Sequence, residues 1–157
     1  MPNKKPIVAP NRKPHVAVAC ICEKALREKD DVISLIRIVD KFHISSMPKM
    51  PERKKSGVPL TVVVSLKSGS LVGKFQLGLR VRTPAGEVKE LHEPWPVVLK
   101  GDEHGANLIL DFTLGLSELG LFWIDVLWDN ELLTSMPFRL TTEALQKLGK
   151  EDRKSSR

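Results

Sequence analysis

Apolar and polar positions alternate through most of the chain, most sharply between Gly120 and Leu140, GLFWIDVLWDNELLTSMPFRL. Phe122, Ile124 and Val126 interleave with Trp123, Asp125 and Leu127, the period of two that gives a strand two different faces. Trp128-Asp129-Asn130-Glu131 supplies turn chemistry, because Asp and Asn tolerate left-handed backbone and bond their own main chain. Met136, Phe138 and Leu140 resume the alternation, so the stretch predicts a β-hairpin. Pro137 cannot donate to a ladder, which places the return strand at an edge or a bulge.

The same pattern recurs upstream. Val16, Val18, Cys20 and Cys22 share one face of a strand starting at His15, and Ala17, Ala19 and Ile21 the other. Both faces are apolar or small, as in a central strand. Lys29-Asp30-Asp31 reads as a turn. Val32 to Ile44, VISLIRIVDKFHI, fits helical and strand spacing alike, and its β-branched residues favour strand. A long hairpin closed near residues 28–31 is therefore expected. Residues 45–58 form a polar, Pro-bearing loop. Leu60, Val62, Val64 and Leu66 mark a third strand, followed by a turn at Lys67-Ser68-Gly69-Ser70. Phe75, Leu77, Leu79 and Val81 alternate with Lys74, Gln76, Gly78, Arg80 and Arg82, the cleanest amphipathic strand of the chain. Thr83-Pro84-Ala85-Gly86 fits a turn with Pro second and Gly fourth. Pro96 to Leu99 reads as a short edge strand and Gly101 to Gly105 as a loop. Leu108, Leu110, Phe112 and Leu114 then begin another strand.

These elements predict an all-β chain, an antiparallel sandwich of seven to eight strands without βαβ spacing. The expected division is a basic arm over 1–14, a β-sandwich domain over 15–141, and a short helix with a basic tail over 142–157. Pro2, Pro6, Pro10 and Pro14 keep the arm out of regular structure. Thr142 would cap the helix, with Ala144, Leu145 and Leu148 as its apolar side. Phe75, Leu77, Leu79, Val81, Leu108, Leu110, Phe112, Phe122, Ile124 and Val126 are the expected core.

At 157 residues the chain has room for one domain with a substantial core. Hydrophobic content of 41% and charged content of 28% are those of a soluble globular protein. The basic N-terminus has no apolar run followed by a small-residue cleavage site, so a secretory signal is not expected. With two cysteines and no signal, a reduced cytoplasmic setting follows. The net charge of +6 is unevenly placed. Residues 1–15, 46–58 and 146–157 carry +4, +3 and +3, which leaves the remaining chain at −4. A protein gripping a phosphate backbone with its folded body would show the reverse.

The succession CICEKALREKDDVISLIRIVDKF, the loop with Met47-Pro48, LTVVVSLKSG, GKFQLGLRVRTPAGE and the closing GLFWIDVLWDNELLTSMPFRL resembles an uncharacterised family of small bacterial proteins. The resemblance spans roughly residues 16–140. It implies a cytoplasmic, immunoglobulin-like β-sandwich, and it brings no activity or catalytic motif to carry over. Asp30-Asp31 stands where a turn glycine is expected, which suggests a longer first loop.

Candidate chemistry is sparse. Cys20 and Cys22 share a strand face, but zinc needs about four ligands, usually from two spaced pairs, and only one C-x-C exists. Two small core hydrophobes are the expected reading. A Cys–His nucleophile pair with His43 across the first hairpin would need contact and an orienting third group. Asp30-Asp31 with Glu28, and Asp102-Glu103-His104, are oxygen-rich but lack calcium-loop spacing. No phosphate-binding, dinucleotide or zinc-protease motif occurs, so no cofactor is expected. Tyr is absent and aromatics make up 5%, which leaves little for stacking bases.

The expected role is therefore a non-enzymatic protein-interaction or assembly module that binds a protein partner or self-associates. Its candidate surface is Trp123, Leu127 and Trp128, an apolar patch if exposed. The alternative is weak nucleic-acid or polyanion binding through the basic tails and Lys49, Arg53, Lys54 and Lys55.

Overall fold

The computed structural model describes residues 13–49, 52 and 56–143. Eight strands follow one another: β1 His15–Arg27, β2 Ile33–Ile38, β3 Lys41–Ile44, β4 Gly57–Arg82, β5 Val88–Glu90, β6 Trp95–Gly115, β7 Gly120–Trp128 and β8 Glu131–Thr142. No helix among the described residues is long and apolar enough to cross a membrane.

Two long strands, β4 and β6, run antiparallel to each other and form the spine. The first half of β4 pairs with β1 through Cys22↔Thr61 to His15↔Lys67, and β1 pairs with β2. The second half pairs instead with β7 through Leu77↔Trp128 to Arg82↔Trp123, and β7 pairs with β8. The strand thus belongs to two layers. It crosses between them at Lys67–Val72, where two register shifts interrupt its pairing with β6. Bulges bend and twist a strand in this way. Gly69 sits at φ 57 and, across from it, Gly101 at φ 87 and Asp102 at φ 50. The residues read from sequence as a turn and a loop, Lys67–Ser70 and Gly101–Gly105, therefore bend a continuous hairpin instead of ending strands. Likewise Pro96–Leu99 is the first part of the 21-residue β6.

Both layers turn an apolar face inward. Ile21, Leu60, Val62, Val64 and Leu66 from the first meet Leu79, Phe122, Ile124, Val126, Phe138 and Leu140 from the second in one cluster. Phe122 and Phe138 stack with centroids 5.2 Å apart. Of the expected core, Leu77, Leu79, Val81, Phe122, Ile124 and Val126 are buried. Phe75, Leu108, Leu110 and Phe112 pack against it only partly buried. The last three lie on β6, which among the described residues has a ladder partner on one side alone.

Residues 33–38 and 41–44 are strand, as the β-branched content indicates, but they do not form one arm of a hairpin. β2 closes the first hairpin against β1, with Glu28 N–H donating to the Val32 carbonyl at 2.8 Å. Asp31 adopts φ 64, the conformation a turn glycine would supply. After Val39 and Asp40 the chain crosses to the other layer, where β3 pairs with β8 in parallel. The sheet is therefore mixed, not wholly antiparallel. The β7–β8 hairpin matches expectation, with Asp129 at φ 46 and Asn130 at φ 65 forming its two-residue turn. β3 joins β8 only from Arg139 onward, so Pro137 sits where β8 still has an open side. Thr141 and Thr142 belong to β8 and pair with His43 and Ile44 of β3. The rest of the expected helix, from Ala144, and the arm before Lys13 lie outside the described residues.

Candidate interaction surface

Alternation along the second layer fixes what its outer face carries. Because Leu79 and Val81 point into the core, Arg80 and Arg82 point out. Because Ile124 and Val126 point in, Trp123 and Asp125 point out, and Ser135, Pro137 and Arg139 follow on β8. Register then sets them side by side: Arg80↔Asp125↔Ser135 in one row, Arg82↔Trp123↔Pro137 in the next, and Leu121↔Arg139↔Lys41 in a third.

Asp125 is the centre of the first row, and its side chain is 1% exposed. Arg82 grips it with two hydrogen bonds, Nε to Oδ2 and Nη2 to Oδ1, each 2.9 Å. Arg80 Nε donates to Oδ2 at 3.1 Å and Ser135 Oγ to Oδ1 at 2.7 Å. Burial alone would push this carboxyl up. The hydrogen bonds from Arg82, Ser135 and Arg80, with the charge of Arg82, outweigh it and hold Asp125 below the ordinary carboxylate range. The same bond raises the Arg82 guanidinium further. The cluster fixes two arginines in place while leaving about a third of each exposed, 32% for Arg80 and 39% for Arg82. Arg82 also lies over the Trp123 ring, 5.4 Å from its centroid.

The three residues expected to form an apolar patch separate in the structure. Trp128 is buried and stacks on Phe75 with centroids 4.7 Å apart. It continues the inward row Phe122, Ile124 and Val126 of β7. Leu127 is buried over Gly78, whose missing side chain leaves it room. Trp123 alone of the three is half-buried at the surface. Lys49 is exposed, whereas Arg53, Lys54 and Lys55 lie outside the described residues. The sequence reading passed over Arg80, Arg82, Asp125 and Ser135. The available signal was an Asp at an otherwise apolar strand position, facing a strand with two arginines two apart.

The thiols are set apart from this face. Cys20 and Cys22 are unoxidised, the first half-buried and the second fully so, on the outer side of the first layer. Burial raises both thiols, and each adds to it through neighbouring charge, Cys22 on Cys20 and Asp111 on Cys22. A nucleophilic cysteine has its thiol lowered instead. His43 lies on β3 in the other layer, so the Cys–His pair across a first hairpin does not form. Among the described residues no three His, Cys, Asp or Glu side chains are grouped to hold a metal ion.

No protein-family model matches the chain, and no curated protein matches it. Among the solved structures similar to the chain, two are described. One is the alkylpurine DNA glycosylase of Pseudomonas fluorescens bound to DNA containing an abasic-site analogue, with 12% identity and a TM-score of 0.47. That match covers 64% of this chain and 27% of the glycosylase, so the chain spans about a quarter of it. The other is an immunoglobulin-like protein from Pseudomonas aeruginosa, with 17% identity and a TM-score of 0.39, covering 85% of this chain and all of that one.

Proposed function

We propose that this chain is a non-enzymatic, immunoglobulin-like interaction module of the reduced cytoplasm. It binds a partner protein or a second copy of itself through the outer face of its second layer. The observation that carries this reading is Trp123, a half-buried indole held under Arg82 between Leu121 and Pro137. Trp and Arg dominate binding energy at protein interfaces, because a large rigid ring and a pre-set fork lose little freedom on docking. Here the Asp125 cluster has already fixed the fork. Arg82 lies in the indole's own row and Arg80 and Arg139 in the rows on either side, so the fitting partner presents acidic groups around an apolar centre.

The test compares the full chain with Trp123→Ala in affinity capture from the native cell, alongside sedimentation to detect self-association. A single protein, or a dimer, should be recovered with the wild type and lost by at least tenfold with the variant, whose circular dichroism stays unchanged. The same cations favour polyanion binding as the second reading. Nucleic-acid affinity that falls steeply between two salt concentrations, with no protein recovered, would replace the first reading by that one.

A further inference from the structure

The edges of the sandwich are not guarded alike. β2 is six residues long and carries Arg37 at φ 52. β3 has four residues, and β5 has three, two of them charged. Short, charged or kinked edges resist pairing with another chain. The second half of β6 has none of these devices. From Gly105 to Gly115, GANLILDFTLG, it holds no proline, no residue at positive φ and a single charge, Asp111. It pairs with β4 from Lys67↔Gly105 to Gly57↔Gly115, and among the described residues its other side has no ladder partner. Alternate N–H and C=O groups along this stretch therefore point out of the sheet. Beside them Leu108, Leu110 and Phe112 are only partly buried against the core. A strand added here would satisfy backbone groups and cover apolar surface together.

The sequence of the edge selects what that strand is. When two identical strands pair antiparallel, residues equally distant from a central one face each other. Centred on Ile109, the isoleucines meet, Leu108 meets Leu110 and the small Ala106 meets the large Phe112. On the outer face Asn107 of each copy meets Asp111 of the other, an amide donor against a carboxylate. Thr61 Oγ1 donates to Asp111 Oδ1 at 2.6 Å, which holds that carboxylate on the outer face. Centring one residue later sets Asp111 against Ile109, and two later sets Asp111 against itself, where like charges repel. One register thus matches apolar with apolar and polar with polar along both faces.

We propose that this half of β6 pairs with the same strand of a second copy, antiparallel about Ile109. The contact is isologous, so it closes both open edges at once and stops at two chains. It joins β2, β1, β4 and β6 of each first layer into one continuous sheet. The surface is separate from the Trp123 face, and its failure leaves the interaction reading untouched.

Sedimentation equilibrium on the full chain should show a reversible monomer–dimer equilibrium. Asn107→Lys sets a cation against Asp111 and should tighten it by about fivefold, and Asn107→Asp sets like charges together and should loosen it by about as much, since two such pairs form per dimer. Asn107 is exposed, so both variants keep the fold. Ile109→Lys, which brings two cations together on the axis, should leave only monomer. Amide hydrogen exchange locates the contact: N–H groups between Asn107 and Asp111 should exchange more slowly as concentration rises. Trp123→Ala should leave the dimer and this protection in place, which tells the edge from the Trp123 face. A chain that stays monomeric at every concentration, edge amides already protected in the monomer, the two Asn107 variants shifting the equilibrium the same way, or a dimer lost with Trp123→Ala would overturn the proposal.

Discussion

The two halves of β4 share one strand and one long partner, yet they face outward very differently. Over residues 58–66, VPLTVVVSL, the inward Leu60, Val62, Val64 and Leu66 are buried, and so are the outward Thr61 at 4% and Val63 at 2%. Beside them on β1, Cys22 is fully buried on the same outward side. Over residues 74–82, KFQLGLRVR, the outward Lys74, Gln76, Arg80 and Arg82 reach solvent, and Gly78 under Leu127 is the one outward position that is closed. A near-continuous apolar run marks a strand buried on both faces, and strict alternation one buried on a single face. The closed half holds the molecule together on both sides. The open half is free to recognise something.

The harshest way to break this contrast is to put the same charge on the outward side of each half. Val63→Asp places a carboxylate where nothing is arranged to receive it, and a buried, unpaired charge should cost about 4 kcal/mol or more. Lys74→Asp, at an exposed outward position of the other half, should stay within about 0.5 kcal/mol. Urea unfolding of both variants measures the difference. Equal stabilities would mean that the first layer's outer face is as open as the second's.

A smaller effect tests the charged row of the open half. Asp125→Ala removes the acceptor shared by Arg80, Arg82 and Ser135, and should cost about 3 kcal/mol at neutral pH. The pH dependence follows from the lowered carboxyl. A folded value below the unfolded one, about 3.9 for Asp, gives stability that is present above pH 4 and lost as pH falls through the folded value. The gap between wild type and Asp125→Ala should therefore be widest near neutrality and narrow below pH 4. A gap that stays constant down to pH 2 would mean that Asp125 contributes through packing alone.

How much of this was visible in the chain follows from the range of each interaction. Period-two alternation is local, so the β7–β8 hairpin, its Asp129-Asn130 turn and the inward row Leu77, Leu79 and Val81 were legible. The crossing of β4 and β6 between layers was not, because Gly69 and Gly101 mark a bend and a reversal with the same residues; only pairing across some thirty positions separates the two. The parallel β3–β8 contact joins residues about a hundred positions apart and leaves no local trace. Trp128 was misplaced because it reads as the first residue of the turn, although it keeps the inward period of Phe122, Ile124 and Val126 and ends β7 inside the core. Asp125 was readable as a polar residue in an apolar strand, but its partners Arg80 and Arg82 become neighbours only through the β4–β7 ladder.

The mildest test returns to the closed half and asks whether its outer face excludes solvent at the scale of one thiol. Cys20 and Cys22 lie two apart on β1 and point the same way, the first half-buried and the second at 0% exposure. Both thiols are raised by burial, so at pH 8 each holds little of the reactive thiolate. Exposure then decides which reacts. Iodoacetamide should modify Cys20 slowly in the folded protein and reach Cys22 only when denaturant opens the sheet. Cys22→Ala should cost about 1 kcal/mol through lost apolar contact, and Cys20→Ala less. Mass spectrometry of the timed reaction reads the order of modification directly. Equal rates at the two thiols would show that the first layer's outer face opens to solvent as freely as the second's, and the division of β4 into a closed and an open half would fall with it.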